Sequence, residues 1–271
     1  MKFVCPKCSR KLNITSGGTA VCDAGHSYDR SRYGYYNLLL SNAGGVHGDN
    51  REMVEARRTF LASGAYAPLA DKLSELAAEY MPTGGVLLDV GCGEGYYTDK
   101  VCSAISEKGK PFSALAFDIS KEAARYCAKR CGGVSVAVAS AYKMPVSDGS
   151  IDLLMNVFSP LALEESARVL HTGGKFIMAI PDKRHLFGLK ELLYETPYEN
   201  EVADSYLQGF SLVRAECVKY DLTLEGCESI KSLFMMTPYA YRTPKEAKDR
   251  LLKLEKLHTQ IEFIIFVYER T

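Results

Sequence analysis

The sequence predicts an α/β fold: a doubly wound, mainly parallel sheet with a small N-terminal zinc-binding module. Three observations predict it. Apolar runs at 86–90, 112–117, 134–138, 151–158 and 175–180 alternate with helical patterns or glycine-rich turns, as strands of a parallel sheet buried on both faces do. Gly91, Gly93 and Gly95 directly follow the first run, where such a sheet places its ligand-binding turn. Ahead of the sheet, two Cys/His pairs stand at the spacings that zinc uses.

The 271 residues, 47% apolar and 24% charged, suffice for one large core with an appendage and exclude a disordered or fibrous chain. No apolar run approaches the roughly 18 residues of a membrane span, and Met1 to Lys7 lacks the apolar stretch of a signal peptide. A cytoplasmic protein without membrane contact is expected. Lys plus Arg and Asp plus Glu number 33 each, so net charge names no partner. Residues 1–58 nonetheless hold nine basic groups against five acidic ones, a surplus that suits a phosphate backbone or an ordinary solvated surface equally.

Nine cysteines, an odd number in a chain expected in a reducing compartment, argue against a disulfide framework. Cys5 and Cys8 have the two-residue gap of a zinc knuckle, and Cys22 and His26 follow thirteen residues later with a three-residue gap. Gly17-Gly18 supplies the hairpin that brings the pairs together. A redox Cys-x-x-Cys would open a helix after a strand, and nothing before Cys5 is long enough to be one. One structural zinc ion is expected, because all four positions are filled by protein. The other six cysteines (Cys92, Cys102, Cys127, Cys131, Cys217, Cys227) show no ligand spacing and read as small core hydrophobes.

Residues 29–48, rich in Tyr, Gly and Asn, read as a linker, dividing the chain into a zinc module with linker at 1–48 and a catalytic domain at 49–271. Asn50 caps an expected helix at 51–62 that Gly64 ends, and a second helix at 67–80 stops before Pro82. Beyond residue 181 the pattern gives a helix near 185–194 and a strand near 211–220. A helix opened by the capping box Thr243-Pro244-Lys245-Glu246 and a strand at 261–268 complete the chain.

The glycine turn sits in Asp89-Val90-Gly91-Cys92-Gly93-Glu94-Gly95-Tyr96. A dinucleotide fingerprint requires a third glycine where Tyr96 stands, so a pyrophosphate is not demanded. S-adenosylmethionine suits the pattern: Asp89 would hold the ammonium group through water, the glycine backbone admits the amino acid and ribose, and Asp118 would accept both ribose hydroxyls. Ser140, after the third strand, would border the adenine. Close helix packing is the plain alternative for the glycines.

On these residues the chain resembles the zinc-containing large-subunit (23S) ribosomal RNA guanine-N1 methyltransferases, within the class I S-adenosylmethionine-dependent methyltransferases. The resemblance rests on Cys5, Cys8, Cys22 and His26; on Gly34-Tyr35 with Asn37-Leu38-Leu39; on Ala56-Arg57-Arg58, Phe60-Leu61 and Gly64; and on Tyr66, Pro68-Leu69 and the segment 89–97. Arg184-His185-Leu186 and Met236-Thr237-Pro238 with Arg242 extend it over essentially the whole chain. It implies methyl transfer to N1 of a specific guanine in a hairpin or junction. It also places Tyr66, Gly93, Glu94 and His185 at the cofactor and active site. Asn156-Val157-Phe158-Ser159-Pro160 departs from it at Asn156, and resembles the Asn-Pro-Pro-Tyr motif of exocyclic-amine methyltransferases.

Guanine N1 carries a proton, so a general base or a donor to O6 would help. His185 is the expected side-chain base if one exists, with a cofactor contact or core histidine as the alternative. Arg184 would steady O6 or touch a phosphate, and Phe158, Tyr66 and Tyr97 are candidates to stack an extruded base. Large-subunit ribosomal RNA is the expected partner, and a homodimer is an assembly to look for. Two other readings compete: a small-molecule methyltransferase of the same fold, in which the zinc appendage has no evident purpose, and a non-catalytic zinc-based RNA-binding protein with a regulatory cofactor pocket. The second would show a spoiled glycine motif, and the motif is intact.

Overall fold

A computed structural model of the chain describes residues 2–40, 48–202 and 205–271. β1 (Leu12–Ile14), β2 (Ala20–Cys22) and β3 (Ser27–Tyr28) form an antiparallel three-stranded sheet. Gly18, in the left-handed region at φ +85°, turns β1 into β2 in the register Leu12↔Cys22. From the stretch 29–48, expected as a linker, residues 36–37 instead form β4 (Tyr36–Asn37), which pairs in parallel at the edge of a second, larger sheet. Two residues are too few to set a period in the sequence. Residues 41–47 of that expected linker lie outside the described residues.

Helices α1 (Arg51–Ala62) and α2 (Ala67–Tyr80) follow at the expected bounds. Asn50 caps α1 through its side-chain oxygen, which accepts from the Met53 N–H at 3.0 Å. The Rossmann-like core then runs β5 (Val86–Val90), α3 (Tyr96–Glu107), β6 (Ser113–Asp118), α4 (Lys121–Arg130), β7 (Ser135–Val138), β8 (Ile151–Val157), α5 (Leu163–Val169) and β9 (Leu170–Pro181). It closes with α6 (Phe187–Leu193), β10 (Phe210–Glu225), α7 (Cys227–Met235), α8 (Tyr239–Arg242), α9 (Lys245–Leu251) and β11 (Lys256–Arg270).

The eight-stranded sheet has the order β10-β11-β9-β8-β5-β6-β7-β4. It is parallel from β4 to β9, and β11 enters antiparallel between β9 and β10. The chain moves outward through β5, β6 and β7 and returns to place β8 on the other side of β5. That reversal opens a crevice at the strands' carboxyl ends. β5 is buried along its whole length because successive side chains feed two cores: Leu87 joins the α2/α3 side, and Leu88 joins the side that also takes Phe3, Leu12, Cys22 and Leu38 of the N-terminal module. The module is docked by the Val4 N–H to the Pro145 carbonyl (2.8 Å) and the Leu38 N–H to that of Val138 (2.9 Å).

Three expectations change. The strand expected near 211–220 extends over 210–225 and pairs antiparallel along its length with β11, its alternation blurred by an exposed edge. The capping box is not made: the Thr243 hydroxyl donates instead to the Tyr239 carbonyl (2.9 Å), leaving Pro244 at the head of α9. Cys217 is exposed on β10, not core. Among the described residues no helix is long and apolar enough to cross a membrane.

Candidate active site and metal centre

Two turns at one end of the small sheet, where Leu12 pairs with Cys22, gather four ligand atoms. The chain folds back after Cys5, whose carbonyl accepts from the Ser9 N–H, and Gly25 (φ +79°) makes the tight turn between Cys22 and His26. Cys8 and Cys22 sulfurs lie 3.7 Å apart, and His26 Nδ1 lies 3.4 Å from Cys5 Sγ and 3.5 Å from Cys22 Sγ. All four ligand atoms fall within 4.8 Å of one another. Zinc bonds of about 2.3 Å to sulfur and about 2.0 Å to nitrogen give tetrahedral edges of roughly 3.5–3.8 Å, so the quartet fits one zinc ion. The Tyr28 hydroxyl, 3.2 Å from Cys5 Sγ, supplies an outer hydrogen bond.

The crevice above β5, β6 and β8 is a cavity of about 910 Å³. Its acidic end is built by two strand termini. Asp89, buried in β5, accepts from Thr98 Oγ1 at 2.5 Å; burial, with Asp118 nearby, raises its pKa to about 7. Asp118 ends β6 and accepts from the backbone N–H groups of Gly93 (2.9 Å) and Ser120 (2.7 Å), one on each oxygen. Burial raises its pKa, and those two donors oppose the rise. Each oxygen retains a further acceptor position. Glu94 is buried with its carboxylate 2.6 Å from the Arg130 guanidinium.

The three glycines do different work. A Cβ on Gly93 would meet nothing, so there the backbone faces open cavity. A Cβ on Gly91 would lie 2.3 Å from Ser159 Oγ, and one on Gly95 2.9 Å from the Cys127 Cα and Cys131 Sγ. Gly91 thus admits the β8 loop. Gly95 admits α4 and does not line the cavity, contrary to the sequence expectation of a cofactor contact.

Tyr66, His185 and Phe158 form an aromatic wall around Phe263, which the sequence reading missed because it arrives on the last strand. Phe263 lies 5.0 Å from Tyr66, 4.4 Å from His185 and 5.1 Å from Phe158, centroid to centroid. His185 Nδ1 accepts from the Glu262 N–H at 3.3 Å, which leaves the proton on Nε2, donated to the Tyr66 hydroxyl at 3.2 Å. Burial, with Lys190 nearby, depresses its pKa to about 3. Both ring nitrogens are engaged, so the geometry speaks against His185 as a base. Phe158 is 42% exposed and holds φ +56°, a rare conformation for a bulky residue, as the chain leaves β8 toward the cavity.

Arg184 does not line the cavity. Its guanidinium covers the Phe187 ring at 4.2 Å and faces Glu199 at 3.6 Å. Asn156 is buried outside it too, its amide donating to the Pro160 carbonyl at 3.3 Å. Ser140 and Tyr97 do line it. Residues given no site role by the sequence complete the walls: the ion pair Arg57–Asp49, Tyr142, Tyr198, Tyr241 and Arg242, of which Arg57 and Arg242 belong to the segments that carry the resemblance. They sit far apart in sequence, on α1, α8 and three loops whose convergence only the topology decides.

A family profile described as "Methyltransferase domain" matches residues 88–178, and one described as "RlmA, N-terminal", a zinc ribbon, matches residues 3–42. The chain is 30% identical over 262 residues to the 23S rRNA (guanine(748)-N(1))-methyltransferase of Streptomyces fradiae, covering 94% of this chain and 91% of that protein. A Micromonospora griseorubida protein, provisionally described as a 23S rRNA (guanine-N(1)-)-methyltransferase, is 33% identical, with 88% of this chain and 86% of that one covered. The solved structure of the Bacillus subtilis YcgJ protein overlays with a TM-score of 0.44 at 16% identity, covering 73% of this chain and 98% of that one.

Proposed function

The chain belongs to the 23S rRNA (guanine-N1-)-methyltransferase family, and from that premise we propose that it methylates N1 of a guanine in a hairpin loop or junction of large-subunit ribosomal RNA. The observation that carries the reading is a Cys₃His cluster joined, in one chain, to a cavity with paired buried carboxylates at one end and a half-exposed, strained Phe158 on its wall. In the division of labour we propose, residues 1–48 recognise RNA and residues 49–271 carry the chemistry, in the cytoplasm.

S-adenosylmethionine, the cofactor of this fold, supplies a methyl group activated on a sulfonium. Asp118 offers its two remaining acceptor positions to the ribose hydroxyls, Asp89 holds the ammonium group, and Gly93 gives the backbone room. Tyr66, Glu94, Ser140 and His185 border the same space. Gly91 contributes by admitting Ser159, and the roles first expected of Gly95 and Arg184 are reassigned. Arg242 lines the cavity, is exposed and has no acidic partner among the described residues, whereas Arg57 is tied to Asp49 and to the Met236 carbonyl. Arg242 is therefore the cation that steadies O6 while the N1 proton passes to solvent water. Neutral His185 orients the Tyr66 hydroxyl. Phe158 presents a face on which the extruded guanine stacks.

N1 lies on the Watson–Crick edge, so reverse transcription of RNA treated with the protein and cofactor should stop one nucleotide before the target. Nucleoside mass spectrometry should report 1-methylguanosine. An exocyclic methylguanosine alone would reject the N1 reading, which the withdrawal of Asn156 from the cavity favours.

Cofactor affinity should also depend on pH. In the free protein the Asp89 carboxyl has a raised pKa of about 7, and an ammonium group favours its charged form. Binding thus releases a proton below pH 7, and affinity should rise up to about tenfold per pH unit from pH 5.5 toward 7, then level off. Calorimetry across pH on wild type and Asp89→Asn checks this; a slope that survives in the variant assigns the titration elsewhere.

A further inference from the structure

Beside the cavity, three segments interleave cations with aromatic rings, and the chemistry above uses none of them. α4 places Glu122, Arg125, Tyr126 and Lys129 at i, i+3, i+4 and i+7, one face of the helix. Tyr33, from the end of the zinc module, takes Arg32 (4.7 Å), Lys129 (4.7 Å) and Arg125 (5.4 Å) over its ring. Tyr126 takes Arg125 (4.8 Å) and, from α1, Arg58 (4.9 Å). Arg32, Arg58 and Lys129 are exposed and have no ion pair among the described residues, while Glu122 is shared with Arg125 at 2.7 Å. The rings hold the cations in place, leaving outer N–H groups free for an anion.

The tract's position matters as much as its charge. Arg57, adjacent to Arg58, lines the cavity, and Arg130 at the end of α4 grips Glu94, which also lines it. At its other end lies the module that holds the zinc ligands. A substrate touching both the module and the cavity passes over this strip.

We propose that the Arg32/Tyr33/Arg125/Tyr126/Lys129/Arg58 tract binds the sugar–phosphate backbone of the substrate RNA and holds the strand between zinc module and cavity. This rests on the reading of the protein as an RNA methyltransferase. Phosphates accept from the free guanidinium edges, and the two rings keep those edges presented.

The test uses the full chain, zinc-loaded, and a protein-free 23S rRNA transcript, with binding measured against salt. Wild type should bind and methylate the transcript. The triple change Arg32→Ala, Arg58→Ala, Lys129→Ala should weaken binding at least about tenfold and flatten the log–log salt slope by roughly 2 to 2.7, while cofactor affinity stays unchanged. Tyr126→Leu keeps every charge and should weaken binding without changing the slope. A triple variant with wild-type affinity and slope overturns the tract while leaving the methyltransferase reading intact. A wild type that neither binds nor methylates any RNA, naked or ribosomal, overturns both. Loss of affinity for the large ribosomal subunit alone, with transcript binding unchanged, makes the partner an acidic ribosomal protein and also overturns the proposal.

Discussion

Replacing Cys22 by serine should abolish methylation of ribosomal RNA and leave S-adenosylmethionine affinity within about threefold of wild type. The small sheet has three short strands and too little apolar surface to hold itself together, and a structural zinc of this ligand class contributes on the order of 10 kcal/mol to folding. Cys22 ends β2 and anchors the turn to His26, so its loss removes a ligand and unclamps two strands at once. The cofactor end of the cavity is built from β5, β6 and the loops that follow them; the module docks on the same sheet through Val4 to Pro145, the edge pairing of β4 with β7 and a shared apolar core, but its zinc ligands do not line the cavity. Metal content, calorimetry with the cofactor, and methylation of a 23S rRNA transcript check the three parts separately. Retained methylation in a zinc-free variant would remove the module from RNA recognition. Lost cofactor binding would make it a prop of the catalytic sheet instead.

The same separation explains what the sequence discloses and what it hides. Ligand spacing is local, so Cys5, Cys8, Cys22 and His26 are legible from two short segments, and the structure places their atoms at tetrahedral distances. Strands buried on both faces are legible as continuous apolar runs, and β5 matches its expected bounds residue for residue. The long closing strands are less so, because β10 is an edge whose outward side chains follow solvent, not a core. The site divides in the same way. Asp89, Gly93 and Asp118 sit at strand ends, where the topology fixes their direction. Arg184 and His185 are neighbours in sequence, yet one lies over Phe187 and the other enters the wall, because both sit in the turn from Asp182 into α6, where the His185 N–H bonds the Asp182 carbonyl and the Phe187 N–H that of Arg184. Spacing carries no information on that turn. Nor does it reveal Phe263, Tyr142, Tyr198 or Arg242, each delivered by a different element.

Asp118→Ala should weaken S-adenosylmethionine binding by about 1.5 to 3 kcal/mol, roughly 10- to 150-fold in dissociation constant, the worth of hydrogen bonds to a charged group. Two effects contribute to that loss. The carboxylate offers acceptors to the ribose hydroxyls, and it also latches the Gly93 and Ser120 N–H groups, shaping the turn against which the ligand lies. A ligand lacking the ribose 2′-hydroxyl separates them. Against S-adenosylhomocysteine and its 2′-deoxy analogue, wild type should prefer the hydroxylated form, and the Asp118 variant should lose most of that preference. The two losses would then fail to add, the signature of a direct contact. Full additivity would assign the effect to the latch alone, and unchanged affinity in the variant would remove Asp118 from the cofactor site.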